Sequence, residues 1–248
     1  MDSENLYDKL NDYLGKAPDN FNILEEQIEI ELQMEYFEFS NKLKGNVDEE
    51  KTLTDIDRLF AIDTMIGDKK TLLAELASID KVEAYRAIEK YVKDPDKDLK
   101  DWAILALQES RMLLESSFLD ENQVFISTGL GGKGNKLRYF IVLLSKKEIN
   151  FTETQKKLIK SEFDFFLRKQ NAEIEKTTFN RNLSTILALI PINVSIKDVF
   201  REAINECNQY GNFLKENFII TNVKSLSIGE IKEILEKNDP EINSESLK

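Results

Sequence analysis

The texture of the chain changes once, near Asp120, and that change limits what its 248 residues can fold into. Before it, apolar residues recur every three or four positions, as helices with one buried stripe require. After it come runs rich in β-branched and aromatic residues, Val124 to Thr128 and Lys136 to Leu144, which suit strands. Charge changes at the same place. Residues 1–120 hold 15 Lys+Arg against 29 Asp+Glu, whereas 121–248 hold 19 against 17. Two independent signals breaking together mark a domain boundary, and the length suits two domains of roughly 100 to 150 residues each. The expected class is α+β: an acidic helical domain over 1–120, an α/β sandwich over 121–236, and a flexible acidic tail over 237–248.

Along the first part, Leu6, Leu10, Tyr13 and Leu14 predict a short helix over 3–14, stopped by Gly15 and Pro18. Within residues 19–44, Ile28, Ile30, Leu32, Met34 and Tyr36 alternate with polar residues as a strand would, yet Phe21, Leu24, Ile28, Leu32, Tyr36, Phe39 and Leu43 also recur at helical spacing. Glu, Gln, Leu and Met are good helix formers and the stretch is long for a strand, so one helix is expected there. Its six glutamates between Glu25 and Glu38 then form a solvated face. A di-iron carboxylate site on such a helix wants histidine partners, and the chain has no histidine. Further helices start near Thr54, near Asp80 with the acid Glu83 three positions on, and near Asp96 or Asp98.

The stretch from Asp80 to Leu114 carries a resemblance. Ala84, Ile88, Tyr91 and Val92 are followed by the Asp- and Pro-containing turn Lys93 to Asp98, then by Trp102-Ala103 and Leu105-Ala106-Leu107. This resembles a HEAT repeat, with Thr54 to Ile79 as a fainter preceding copy. The resemblance implies stacked helix pairs that offer an extended groove to protein partners. Asp94, Asp96 and Asp98 also spell the opening of a calcium loop. Leu99 stands where the loop needs glycine and Leu105 where it needs a bidentate glutamate, so the three aspartates are expected to serve a turn.

In the second part, Val124–Thr128 and Lys136–Leu144 read as a hairpin. Thr152-Glu153-Thr154-Gln155 is a capping box opening a helix, Ala172–Phe179 alternates like a strand, and Leu183–Val194 is an apolar strand after a turn at Asn180-Arg181-Asn182. Ser195 to Asp198 opens a second helix, Asn217–Val223 is a strand, and Ser227 opens a last short helix. The order ββαββαβ plus a terminal helix contains the β-α-β-β-α-β run of ferredoxin-like sandwiches, which it resembles by element order. That architecture serves many functions, so it selects none.

Without histidine, Ser-His and Cys-His nucleophiles, histidine-held zinc or iron and the HExxH hydrolases are all excluded. Cys207 lies on the apolar stripe of its helix with Val199 and Ala203, and Trp102 sits at a helix seam; both read as core. The candidate ligand site is the glycine cluster: Gly129, Gly131, Gly132, Lys133, Gly134, Lys136 and Arg138. Gly129, Gly131 and Gly134 make GxGxxG, but a dinucleotide fingerprint must open a helix and a strand follows here. A Walker loop wants Lys then Ser or Thr after the second glycine, where Asn135 and Lys136 stand. The cluster therefore reads as a hairpin loop whose glycines supply positive φ, with an anion nest formed by loop N–H groups, Lys133, Lys136 and Arg138 as the functional alternative. Residues 122–222 hold 15 Lys+Arg against 10 Asp+Glu, and Phe125, Tyr139 and Phe140 lie near that charge, which leaves RNA stacking as a second alternative.

The N-terminus is acidic where a signal peptide is basic, no apolar run spans a membrane, and the single cysteine suits a reducing compartment. The expectation is a cytoplasmic, non-enzymatic interaction protein, needing no cofactor or metal, whose acidic half engages a protein partner with a basic patch. Nucleic acid and membrane are not expected partners.

Overall fold

A computed structural model describes residues 21–119 and 124–237. The expected helix over 3–14 and most of the expected tail over 237–248 lie outside the described residues. Helix and sheet are both present, and the chain divides into two compact units between Asn135 and Lys136. The sequence places that boundary near Asp120. It falls later because Val124–Ile126 (β2) pairs in parallel with Phe21–Ile23 (β1), Phe21 opposite Val124 and Ile23 opposite Ile126. That pairing corrects two expectations at once. Residues 19–44 are not one helix, and Val124–Thr128 is not the first arm of a hairpin. Leu24 continues the ladder by donating its N–H to the Ile126 carbonyl at 3.0 Å. Local helix propensity in Phe21 to Glu29 gives way to a ladder whose partner is about a hundred positions away, which no local pattern displays.

In the first unit the helices are Ile30–Leu43 (α1), Glu49–Thr54 (α2), Ile66–Ala77 (α3), Val82–Val92 (α4) and Lys100–Leu119 (α5), with 3-10 turns at Asp55–Leu59 and Lys97–Leu99. The α4 stripe buries Ala84, Ala87, Ile88 and Tyr91, the amphipathic pattern read from its sequence. Trp102, 1% exposed, is the largest fully buried side chain; it meets Tyr36 and Phe39 edge-on and donates its indole N–H to the Lys70 carbonyl at 3.1 Å. Each such ring buries on the order of 150–250 Å², so this seam dominates the unit's apolar stabilisation. Leu24 and Ile28, on the extended segment before α1, complete the same core.

The second unit contains Lys136–Leu144 (β4), Glu153–Lys169 (α6), Glu173–Asn180 (β5), Leu183–Pro191 (β6), Ile196–Gln209 (α7), Ile219–Thr221 (β7) and Ile228–Lys237 (α8); the two-residue strand Gly132–Lys133 (β3) precedes them in the chain. Within the unit the strand order is β7-β4-β6-β5, and every neighbouring pair is antiparallel. α6 and α7 cover one sheet face, where Ile141, Ile186 and Ile190 pack on Phe163, Phe200 and Ile204. The Thr152 capping box forms as expected, with Gln155 N–H donating to the Thr152 hydroxyl and the Gln155 side chain accepting from the Thr152 N–H. Ser195 makes no such cap; its hydroxyl turns to the Asp198 carboxylate instead. The β5 register slips between Ile174 and Lys176, which leaves Glu175 as the extra residue of a bulge.

Candidate functional site

The glycine cluster is built into the fold rather than left open. Gly129, Gly131 and Gly132 are buried, and Lys133 and Gly134 are exposed. Gly131 holds a left-handed φ of +67°, and a Cβ there would run into the carbonyl oxygens of Glu25 and Glu26. The glycine is therefore required both by its φ and by close backbone approach. Gly131 donates its N–H to the Thr128 carbonyl at 3.1 Å, and the Thr128 hydroxyl returns a bond to the Gly131 carbonyl at 3.2 Å. The buried Gln33 amide donates to the carbonyls of Ile28 (2.8 Å) and Thr128 (3.3 Å), tying the loop to α1.

The N–H of Gly134, which an anion nest would offer to a ligand, donates to the Glu25 carboxylate at 3.3 Å. Lys136 and Arg138 belong to the second unit. There the Arg138 guanidinium pairs with Glu175, Nη2 lying 2.9 Å from Oε1, so the β5 bulge aims the carboxylate that holds the arginine. The aromatic trio proposed for RNA is dispersed: Phe125 meets Phe37 in the first unit, Tyr139 packs with the helix-covered core, and Phe140 lies on the opposite face of the sheet, near Ile228 and Ile231 of α8. Burial pushes the Tyr139 phenol up to about 12, the behaviour of a ring inside rather than on a surface.

A groove in the helical unit, which sequence reading missed, has the features of a binding site. Its cavity is about 550 Å³, inside the range of roughly 300–1,000 Å³ typical of ligand clefts. The apolar wall is Phe37, Val47, Ile79, Met112, Leu113 and Phe125, with the rings of Phe37 and Phe125 edge-on at 6.2 Å. The polar lining is Lys44, Glu49, Ser78, Gln108, Glu109 and Ser116. Tyr36 and Ser40 of α1 and Lys44, the residue that caps its C-terminus, stand four apart and converge on the Glu109 carboxylate of α5. Tyr36 donates at 2.7 Å, Ser40 at 2.8 and 2.9 Å, and the Lys44 ammonium lies at 2.9 Å. Burial first, and then the neighbouring carboxylate, holds the Tyr36 phenol protonated far above its ordinary range. The i, i+4, i+8 row of Tyr36, Ser40 and Lys44 along one face is the signal that sequence reading passed over. Next to this saturated carboxylate, Gln108 is 9% exposed and lines the groove.

The aspartate turn is no cation loop. Asp96 accepts from Lys69 at 2.7 Å and from the Tyr91 hydroxyl at 2.6 Å, and among the described residues no three His, Cys, Asp or Glu side chains gather as a metal site. No described helix is long and apolar enough to cross a membrane.

No protein family's sequence profile matches the chain, and no curated protein matches its sequence. Among solved structures, a protein described as a transposase candidate from Deinococcus radiodurans R1 aligns at TM-score 0.34 and 11% identity, over 41% of this chain and 90% of its own. A REP-associated tyrosine transposase bound to a REP hairpin aligns at TM-score 0.31 and 10% identity, over 40% of this chain and 62% of its own. Scores this low leave fold family and activity unassigned.

Proposed function

We propose that the chain is a non-enzymatic interaction protein, a scaffold or regulatory module whose acidic helical unit receives a protein partner bearing a basic patch. The observation that carries this reading is the 550 Å³ groove between α1 and α5, in a unit rich in exposed carboxylates such as Glu31, Glu35 and Glu38. The HEAT-like description draws support from the pairwise packing of α3, α4 and α5 across short turns. The ferredoxin-like description draws support from the β-α-β-β-α-β order and the β7-β4-β6-β5 antiparallel sheet.

The test is association kinetics of the full-length protein with the partner it captures from lysate of its native host. Charge complementarity makes the association rate fall as salt rises, and Glu31→Gln, Glu35→Gln and Glu38→Gln together slow it further. A rate independent of salt removes the acidic surface from the account. The phosphate-binding reading has a separate discriminator. Thermal stabilisation by nucleotides that disappears in Lys133→Ala plus Lys136→Ala would return the glycine cluster to consideration. RNA binding would announce itself by an affinity falling steeply with salt.

A further inference from the structure

The second unit carries a cavity of its own, independent of the partner reading of the helical unit. It lies on the sheet face turned away from α6 and α7, where the antiparallel registers set Leu187 beside Phe140 and Lys176, Thr185 beside Thr178, and Leu183 beside Asn180. Residues 225–228 and Ile231, at the start of α8, form the opposite wall. The space is about 350 Å³, near the lower end of the range for ligand clefts, and holds about a dozen water-sized groups.

Its two sides differ in chemistry. Towards β4, β6 and α8 the lining is apolar, with Phe140, Leu183, Leu187 and Ile231, and Ile228 beside them is left 42% exposed. The β5 side offers hydrogen-bond donors: the Lys176 ammonium, the Asn180 carboxamide and the Thr178–Thr185 hydroxyl pair. Within that pair one hydroxyl donates to the other, so the accepting hydroxyl keeps its own proton for a further acceptor. Among the described residues Lys176 enters no ion pair. Its chain neighbour Glu175 is held by Arg138, and near the start of α8 Lys224 pairs with Glu230. One uncompensated positive charge thus stands among donors beside an apolar floor, and among the described residues no carboxylate lines the cavity.

We propose that this cavity binds a small amphipathic monocarboxylate, with its carboxylate on Lys176 and the Thr178–Thr185 pair and its hydrocarbon chain along Phe140 and Leu187 beneath Ile228. Charge-assisted bonds from the ammonium and the free hydroxyl proton fix the head of the ligand. Removing the chain and the exposed Ile228 side chain from water supplies the remaining attraction. One ammonium balances one negative charge, so a carboxylate is matched and a phosphate dianion is not.

The experiment titrates uniformly 15N-labelled full-length protein with sodium octanoate at constant ionic strength and follows the backbone amides of Thr178, Thr185 and Ile228. The expected result is a saturable shift of these amides. Affinity should fall tenfold or more for acetate, which lacks the chain, for 1-octanol, which lacks the charge, and in Lys176→Met, which keeps the stem and removes the ammonium. Lys176 is exposed, so this substitution leaves folding intact. Ile228→Ser should weaken octanoate severalfold by removing part of the apolar wall. Absence of a saturable shift at these amides overturns the proposal. So does equal binding by 1-octanol, tighter binding of inorganic phosphate than of octanoate, or octanoate binding that Lys176→Met leaves unchanged.

Discussion

The Lys69 ammonium is buried 2.7 Å from the carboxylate of Asp96, which is 39% exposed and also accepts from the Tyr91 hydroxyl. The pair ties the start of α3 to the turn before α5, which is what an aspartate in that turn does here in place of holding a cation. Asp96→Asn leaves a buried ammonium without its counter-charge and should lower unfolding stability by about 1–3 kcal/mol. Lys69→Met should cost less, because the residue left behind is solvated. Urea unfolding of both variants checks the order, and equal losses would contradict it.

The same pair sets an acid dependence. The Lys69 hydrogen bond, and after it the Tyr91 hydroxyl, holds the Asp96 carboxyl below the usual carboxylate range. A folded-state value depressed below the unfolded one, near 3.9, gives stability that is present above about pH 4 and lost as pH falls through the folded value. Asp96→Asn should therefore flatten the acid limb of a stability profile measured downward from pH 6. An unchanged limb would assign the acid loss to other carboxylates.

Two glycines of one loop should behave differently. Gly131→Ala meets the Glu25 and Glu26 carbonyls in addition to its left-handed φ, whereas Gly134→Ala, at φ +58°, meets open space. Gly134→Ala should cost on the order of 1–2 kcal/mol, the steric cost of the left-handed region. Gly131→Ala should cost clearly more, by the same unfolding measurement. Parity between them would show that the 25–26 segment yields.

Arg138 and the loop lysines should also separate. Removing the guanidinium in Arg138→Met breaks charge-assisted bonds to Glu175 in a partly buried setting and should cost about 1.5–3 kcal/mol. Lys133→Ala with Lys136→Ala should stay within about 0.5 kcal/mol per site, the range for ordinary surface changes. Melting of the three proteins side by side decides it.

Cys207 is a prediction about rate. Burial first, then Glu162 and Glu206, pushes its thiol up to about 12, so at pH 8 almost none is thiolate. An aromatic disulfide reagent should release one equivalent per chain in guanidinium and react far more slowly with the folded protein. Fast reaction in the native state would place the thiol at the surface.

What the sequence determined by itself is local. The period of Val82–Val92, the Thr152 capping box, the strands on either side of Arg181 and the break in charge and texture near Asp120 are each written in adjacent residues, because a helix or a cap is satisfied by neighbours three or four positions away. Tertiary structure decided the rest. Phe21–Ile23 becomes a strand because of Val124–Ile126, Gly131 is a glycine because of the Glu25 and Glu26 carbonyls, and Arg138 is held by a glutamate that a β5 bulge presents. The groove belongs to the same class: Tyr36, Ser40 and Lys44 were visible as a row, but their common acceptor, Glu109, lies on another helix. Hydrogen bonds and close approaches between distant segments leave no periodic trace, since the chain's spacing records only what each residue meets along its own element.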